Sequence, residues 1–174
     1  PSVMAETLDQ LVARRVKFLV DYQDEAYAAQ YQQQVDKVRQ AEAALGGEVM
    51  ATHVARVLFK LMAYKDEYEV ARLHTDTSFT EQLAQEFSGD FKVKYNLAPP
   101  LLPARKDARG RPRKREFGPW MQPVFKFLAG KKQLRGSWMD VFSYTAERRM
   151  ERGLIVWYEG LVDQCLGGLD AGNY

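Results

Sequence analysis

Apolar positions recur at helical spacing from the start of the chain. Leu8, Leu11, Val12, Phe18, Leu19 and Tyr22, with Arg15 among them, recur at the spacing of a 3.6-residue repeat, so the chain opens with a helix. Tyr27, Tyr31, Val35, Val38 and Leu45 continue it, with Asp21 or Asp24 as a break and new N-cap and Gly46-Gly47 as a stop. A helix from about Asp24 to Leu45 is on the order of 30 Å long, so the first residues read as a long hairpin arm. Val54, Leu58, Leu61, Met62, Lys65 and Tyr68 form the next stripe, running towards Leu73. Ser78 with Glu81 three residues on is a capping box that opens a short helix carrying Phe79, Leu83 and Phe87, closed near Gly89.

After Gly89 the period changes to two. Phe91, Val93, Tyr95 and Leu97 alternate with Lys92, Lys94 and Asn96, as in a half-buried strand. Pro99, Pro100 and Pro103 stop it, and Arg113–Phe117 reads as its return. Pro119 suits the first turn of a helix carrying Met121, Val124, Phe125 and Leu128, with Lys131 and Lys132 near its negative end. A last helix starts at about Thr145. Its stripe is Leu154, Ile155, Tyr158, Leu161, Val162 and Cys165, ending at Gly167-Gly168. The pattern predicts a mainly α domain with long N-terminal helices and one inserted β-hairpin or extended clip around 91–117. It reads as a single helical domain over 1–174, segmented into 1–90, 91–117 and 118–174.

Composition agrees with a packed core. Among 174 residues, 46% are hydrophobic and 12% aromatic, and a chain of this size hides on the order of 70% of its unfolded surface. The N-terminus has no basic-then-apolar leader pattern, and no apolar run approaches the roughly 18 residues of a membrane span. The expectation is a cytoplasmic protein with no membrane partner. A start on Pro1 suggests a segment of something longer. One cysteine, Cys165, excludes an internal disulfide and a cysteine-built cluster within this chain; its place on an apolar stripe predicts a core position.

Charge changes the picture more. The net charge of +2 conceals a segment, 91–116, with 9 Lys/Arg against 2 Asp/Glu, while residues 1–90 hold 9 against 15. Within the basic segment, Arg109, Arg111, Arg113, Lys114 and Arg115 surround Gly110 and Pro112. Arginines so placed suit a narrow minor groove, and a nucleic-acid-binding module using the 105–115 loop is one reading. LAPPLL before it and FGPWM after it are apolar enough to pack on a core, which favours a tethered basic loop facing an acidic protein surface.

Candidate chemistry is sparse. His53 and His74 stand 21 residues apart without a cysteine partner, so both read as surface or core-edge residues rather than zinc ligands. Phosphate-cradling glycine patterns and nucleophile elbows are missing from the sequence. The densest polar cluster is Tyr64, Lys65, Asp66, Glu67, Tyr68 and Glu69. On one continuous helix Tyr64 and Tyr68 share a face, and Lys65–Glu69 and Glu69–Arg72 give local ionic support. Asp66 and Glu67 diverge by about 100°, so a solvated face is preferred over paired acid–base catalysis.

Four stretches in order, FKLMAYKDEYEVARL (59–73), NLAPPLL (96–102), GRPRKREFGPWM (110–121) and YTAERRMERGLI (144–155), resemble the helical region of single-chain bacterial indolepyruvate ferredoxin oxidoreductases. DYQDEAYAAQY (21–31) extends the resemblance over nearly the whole chain. It departs at 140–143, where Val141 and Ser143 stand in place of the Pro and Gly of Asp-Pro-Phe-Gly. The resemblance implies a multidomain parent that oxidatively decarboxylates aryl 2-oxoacids to acyl-CoA. The parent would use thiamine diphosphate and 4Fe-4S clusters, with coenzyme A as acyl acceptor and ferredoxin as electron acceptor. It places no catalytic, cofactor or metal residue here. This chain then reads as a non-catalytic structural or interaction domain, holding other domains of the same chain or an oligomer together.

Overall fold

The first helix, α1 (Leu8–Tyr22), begins at a capping box: Thr7 and Gln10 each accept the other's backbone N–H. Asp24 breaks the chain and caps α2 (Glu25–Ala43), its carboxylate accepting the Tyr27 N–H at 2.8 Å. Ala28, Tyr31, Val35 and Val38 then face inward at helical spacing. Gly46, with a φ of 78°, turns the chain towards α3 (Val49–Met62), in the left-handed region that costs glycine little. The computed structural model describes residues 6–76, 81, 85–87, 92–98, 108–110 and 113–174.

The described helical content and its short antiparallel strand pair make this a mainly α fold. The chain divides into two units. One comprises residues up to 64 with 146–174, the other 65–145. In the first, α1, α2 and α3 pack with the last helix, Ala146–Gly167. Leu19, Tyr22, Tyr31, Leu58 and Met62 are fully buried among them, and burying each such aliphatic side chain is worth about 1.5–3 kcal/mol. Three tyrosines put rings in this core and hydroxyls on backbone carbonyls: Tyr31 on Ala55, Tyr27 on Met62 and Tyr22 on Tyr64, at 2.9–3.0 Å. Met62 lies in the last turn of α3, so its carbonyl is one the helix itself leaves unpaired.

In the second unit, α4 (Glu67–Thr75) packs on α5 (Met121–Ala129) beside β1 (Tyr95–Leu97) and β2 (Arg115–Phe117). The strands are antiparallel, with Tyr95 opposite Phe117 and Leu97 opposite Arg115. Ala71, Tyr95, Met121 and Phe125 form the core. Pro123 stands in the first turn of α5, where a missing N–H costs nothing. A 3-10 turn, Lys132–Leu134, leads into a looped segment that ends at α6 (Ala146–Gly167).

Several expectations change. The stripe read as continuous from Val54 to Leu73 is two helices, because Asp66 takes an extended conformation and caps the second. The units do not follow the segments 1–90, 91–117 and 118–174, because α6 packs back on α2 and α3. Cys165 is exposed, since α6 turns Ile155, Tyr158, Val162 and Leu166 inward instead. Of the short helix opened by Ser78, Glu81, Gln85 and Glu86 are helical, Phe87 follows outside the helix and exposed, and the others lie outside the described residues.

Candidate functional site

Asp66 opens the most interconnected polar cluster. It sits on the short link between α3 and α4, where its Oδ1 accepts the Glu69 N–H at 2.8 Å. Arg135, just after the 3-10 turn, lays its guanidinium against the same carboxylate, Nη2 at 2.9 Å from Oδ1 and Nε bonded to Oδ2. Both side chains are buried, so the fork-to-fork geometry works in a poorly hydrated setting where charge-assisted bonds are strong. The guanidinium also stands 5.6 Å from the Tyr68 ring centre.

Tyr68 carries the network onward. Its hydroxyl donates to Asp140 Oδ1 at 3.1 Å, and its ring meets Phe142 edge-on at 5.5 Å. Burial, with the Asp140 charge second, pushes the Tyr68 hydroxyl well above the ordinary tyrosine range. Asp140 also accepts from the N–H of Phe142 at 3.1 Å and of Gly136 at 2.8 Å. Gly136 has a φ of 74°, so the turn that aims its N–H at Asp140 favours glycine. On the neighbouring turn Glu69 is buried and binds Arg72 through two 2.8 Å bonds.

These acids are therefore engaged from within the protein. Chemically the arrangement fastens the 135–142 loop to α4. It unites Asp66, Tyr68 and Glu69 of the sequence-derived cluster, and the solvated-face reading fails for them because the cap turns Asp66 inward and α4 packs on α5. It does not include Tyr64, Lys65 or Glu67. Tyr64 belongs to the first unit, its ring 6.2 Å from Tyr22 and 5.7 Å from the Arg148 guanidinium; Lys65 is exposed and Glu67 half-buried. Tyr64 and Tyr68 thus share no helix face. The Glu69–Arg72 pair is present.

Arg135 and Asp140 escaped the sequence reading, because no local pattern links either to Asp66. A second buried acid, Glu42, was also missed. It caps α3 from a distance, accepting the N–H of Met50 at 2.6 Å and of Ala51 at 2.8 Å, and the hydroxyl of Tyr174 at 2.6 Å. Burial alone raises its proton affinity, but the bonds from Tyr174 and the α3 N–H groups outweigh that and hold the carboxyl below its usual range.

In the basic segment, Arg109, Arg113, Lys114 and Arg115 are exposed, and Arg111 lies outside the described residues. Lys94 and Glu116 pair across the strands at 2.8 Å. His53 is exposed, and His74 stacks on Phe125 at 4.9 Å and meets the Tyr95 ring edge at 5.2 Å. Among the described residues no three His, Cys, Asp or Glu side chains are grouped to hold a metal ion, and no helix is long and apolar enough to cross a membrane.

No curated protein and no solved structure matches this chain. A family model described as a family of unknown function, DUF6537, matches residues 8–174, and the chain belongs to that family.

Proposed function

We propose that this chain is a non-catalytic structural and interaction module of a cytoplasmic indolepyruvate:ferredoxin oxidoreductase, the reading implied by the four ordered stretches. The supporting observation is the use made of Asp66, Tyr68, Glu69 and Asp140. The groups best suited to acid–base work bind Arg135, Arg72 and backbone N–H groups of their own chain. In this reading thiamine diphosphate, the iron–sulfur clusters, coenzyme A and ferredoxin all belong to other parts of the parent.

Two measurements test it. The purified chain, assayed by calorimetry with thiamine diphosphate and by 2-oxoacid-dependent dye reduction, is expected to give neither binding nor turnover; tight binding or turnover overturns the assignment. The complete reading frame is expected to carry grouped cysteines and a thiamine diphosphate motif, and a frame with neither removes the parentage.

Exposure of Arg109, Arg113, Lys114 and Arg115 keeps a nucleic-acid reading in contention. Several phosphate contacts would give binding to an A/T-rich duplex that falls steeply with salt. A shallow salt response at weak affinity ends that reading.

A further inference from the structure

A cation without a counter-ion sits between α1 and α3. Arg15 projects from α1 and is half-buried. Its guanidinium lies 4.7 Å from the centre of the Phe59 ring, and its Nη1 donates to the Ala55 carbonyl, which also accepts the Tyr31 hydroxyl. Its Nε is buried with no acceptor. These neighbours are all neutral, and Arg15 forms no ion pair among the described residues. A charge taken partly out of water is ordinarily paired, because its lost hydration has to be replaced. Here the side chain is fixed in one orientation and its charge is left unmatched.

Two more arginines border it. Arg14 precedes it on α1 and grips Glu6 in a fork, Nε to Oε1 at 2.8 Å and Nη2 to Oε2 at 2.9 Å. Arg56 follows Ala55 on α3, is exposed, and has no hydrogen-bond or ion-pair partner among the described residues. Glu6 ties the three together. The bonds from Arg14 lower its proton affinity, burial opposes them, and the charges of Arg14, Arg15 and Arg56 add to the lowering. One carboxylate thus stands in the field of three guanidiniums and bonds only one of them.

The surplus positive charge suits a dianion better than another carboxylate. A phosphate monoester carries about −1.5 to −2 charges at neutral pH and three acceptor oxygens. Guanidiniums match phosphate oxygens two at a time, as they do carboxylates. Glu6 marks where such an oxyanion would lie, since its carboxylate already makes one forked contact. We infer that Arg14, Arg15 and Arg56 form an anion site for a phosphate group, free or carried as a monoester on a small ligand, with Glu6 the internal carboxylate that the ligand displaces. The inference does not rest on the oxidoreductase reading, since it uses only α1, α3 and the residue before the α1 cap.

Titration of the whole chain with inorganic phosphate, glycerol phosphate and acetate tests it, at constant ionic strength. Binding is read from the side-chain Nε resonances of the arginines and from calorimetry. Both phosphate probes are expected to shift the Arg14, Arg15 and Arg56 resonances, with acetate at least tenfold weaker. Arg56→Gln should weaken phosphate binding threefold or more. Glu6→Gln should strengthen it by a similar factor, because the internal competitor loses its charge. Both substitutions are at exposed positions and are checked for native helicity. Tighter binding of glycerol phosphate assigns the site to an ester, and tighter binding of inorganic phosphate to the free ion; either supports the proposal. Resonances of the three arginines that ignore both phosphate probes, acetate binding as well as phosphate, or a Glu6→Gln chain that binds phosphate more weakly overturns it.

Discussion

Arg135 and Asp66 meet across 69 residues of sequence, with side chains only 2% and 3% exposed. Neither charge is hydrated, so each depends on the other. Removing one partner of a buried pair costs about 3–5 kcal/mol, whereas replacing both by apolar groups is often near neutral. Asp66→Ala is therefore expected to lower the stability of residues 65–145 by at least about 3 kcal/mol, with part of that the loss of the α4 cap. Asp66→Ala/Arg135→Met should recover most of it. Urea titration of the four proteins of the cycle decides; a single substitution costing less than about 1 kcal/mol would show that the pair does not hold the loop.

His74 gives the same unit an acid-side dependence. Burial between Phe125 and Tyr95 lowers its proton affinity below the ordinary value of 6.5. Above 6.5 both folded and unfolded chains carry it neutral. As pH falls below that value the unfolded chain takes the proton first, so stability is lost. His74→Phe should flatten the stability profile as pH falls below 6.5. An unchanged slope in chemical denaturation across that window would place the dependence elsewhere.

Glu42 acts in the other unit and at lower pH. Its carboxyl is held below the usual 4.5, so its contribution is fully present above 4.5 and fades as pH falls towards the lowered folded value. Glu42→Gln loses the charge that accepts two N–H bonds at the start of α3 and is expected to cost about 1–3 kcal/mol at neutral pH. Tyr174→Phe removes the hydroxyl that donates to Glu42 and should lower the melting temperature by less than Glu42→Gln does. A Cβ at Gly47 would stand 1.9 Å from the Tyr174 hydroxyl, so Gly47→Ala should displace that ring and match Tyr174→Phe. Thermal melts at pH 7 and pH 4 compare all three.

Cys165 is exposed near the end of α6. A small aromatic disulfide reagent should label the native chain at one site, at a rate that mild denaturant does not raise. Labelling that waits for unfolding would return the residue to the core.

The sequence carried the elements whose ends are signalled locally. Asp24 with Tyr27, the alternation around Tyr95, and Gly167 were all readable because one or two residues act on their immediate neighbours. The break at 63–66 was hidden by a hydrophobic stripe that continues in phase across it. The usable signal was Asp66 followed by Glu69, an N-cap with an acid in the first turn. Of the candidate site, Asp66, Tyr68 and Glu69 could be named as a cluster, but Arg135 and Asp140 could not be joined to it. Their association is set by how α5 and the following turn return to α4, and tertiary packing leaves no trace at fixed spacing. Cys165 was misplaced because α6 is apolar on two faces, which blurs which one enters the core.

The approach of Arg148 to the Tyr64 ring bears on how the molecule assembles. The chain leaves the first unit at Tyr64 and rejoins it at Ala146, so all of Lys65–Thr145 forms one closed excursion. During synthesis α1, α2 and α3 emerge long before α6, and must persist with one wall of their core missing. Closing an unstructured excursion carries an entropic cost that rises by about 0.6 kcal/mol with each doubling of its length. If residues 65–145 fold first, their two ends are brought together and the excursion becomes effectively short. The Asp66–Arg135 clasp ties the start of that excursion to its closing stretch, and thereby bears on how readily the last helix finds its place.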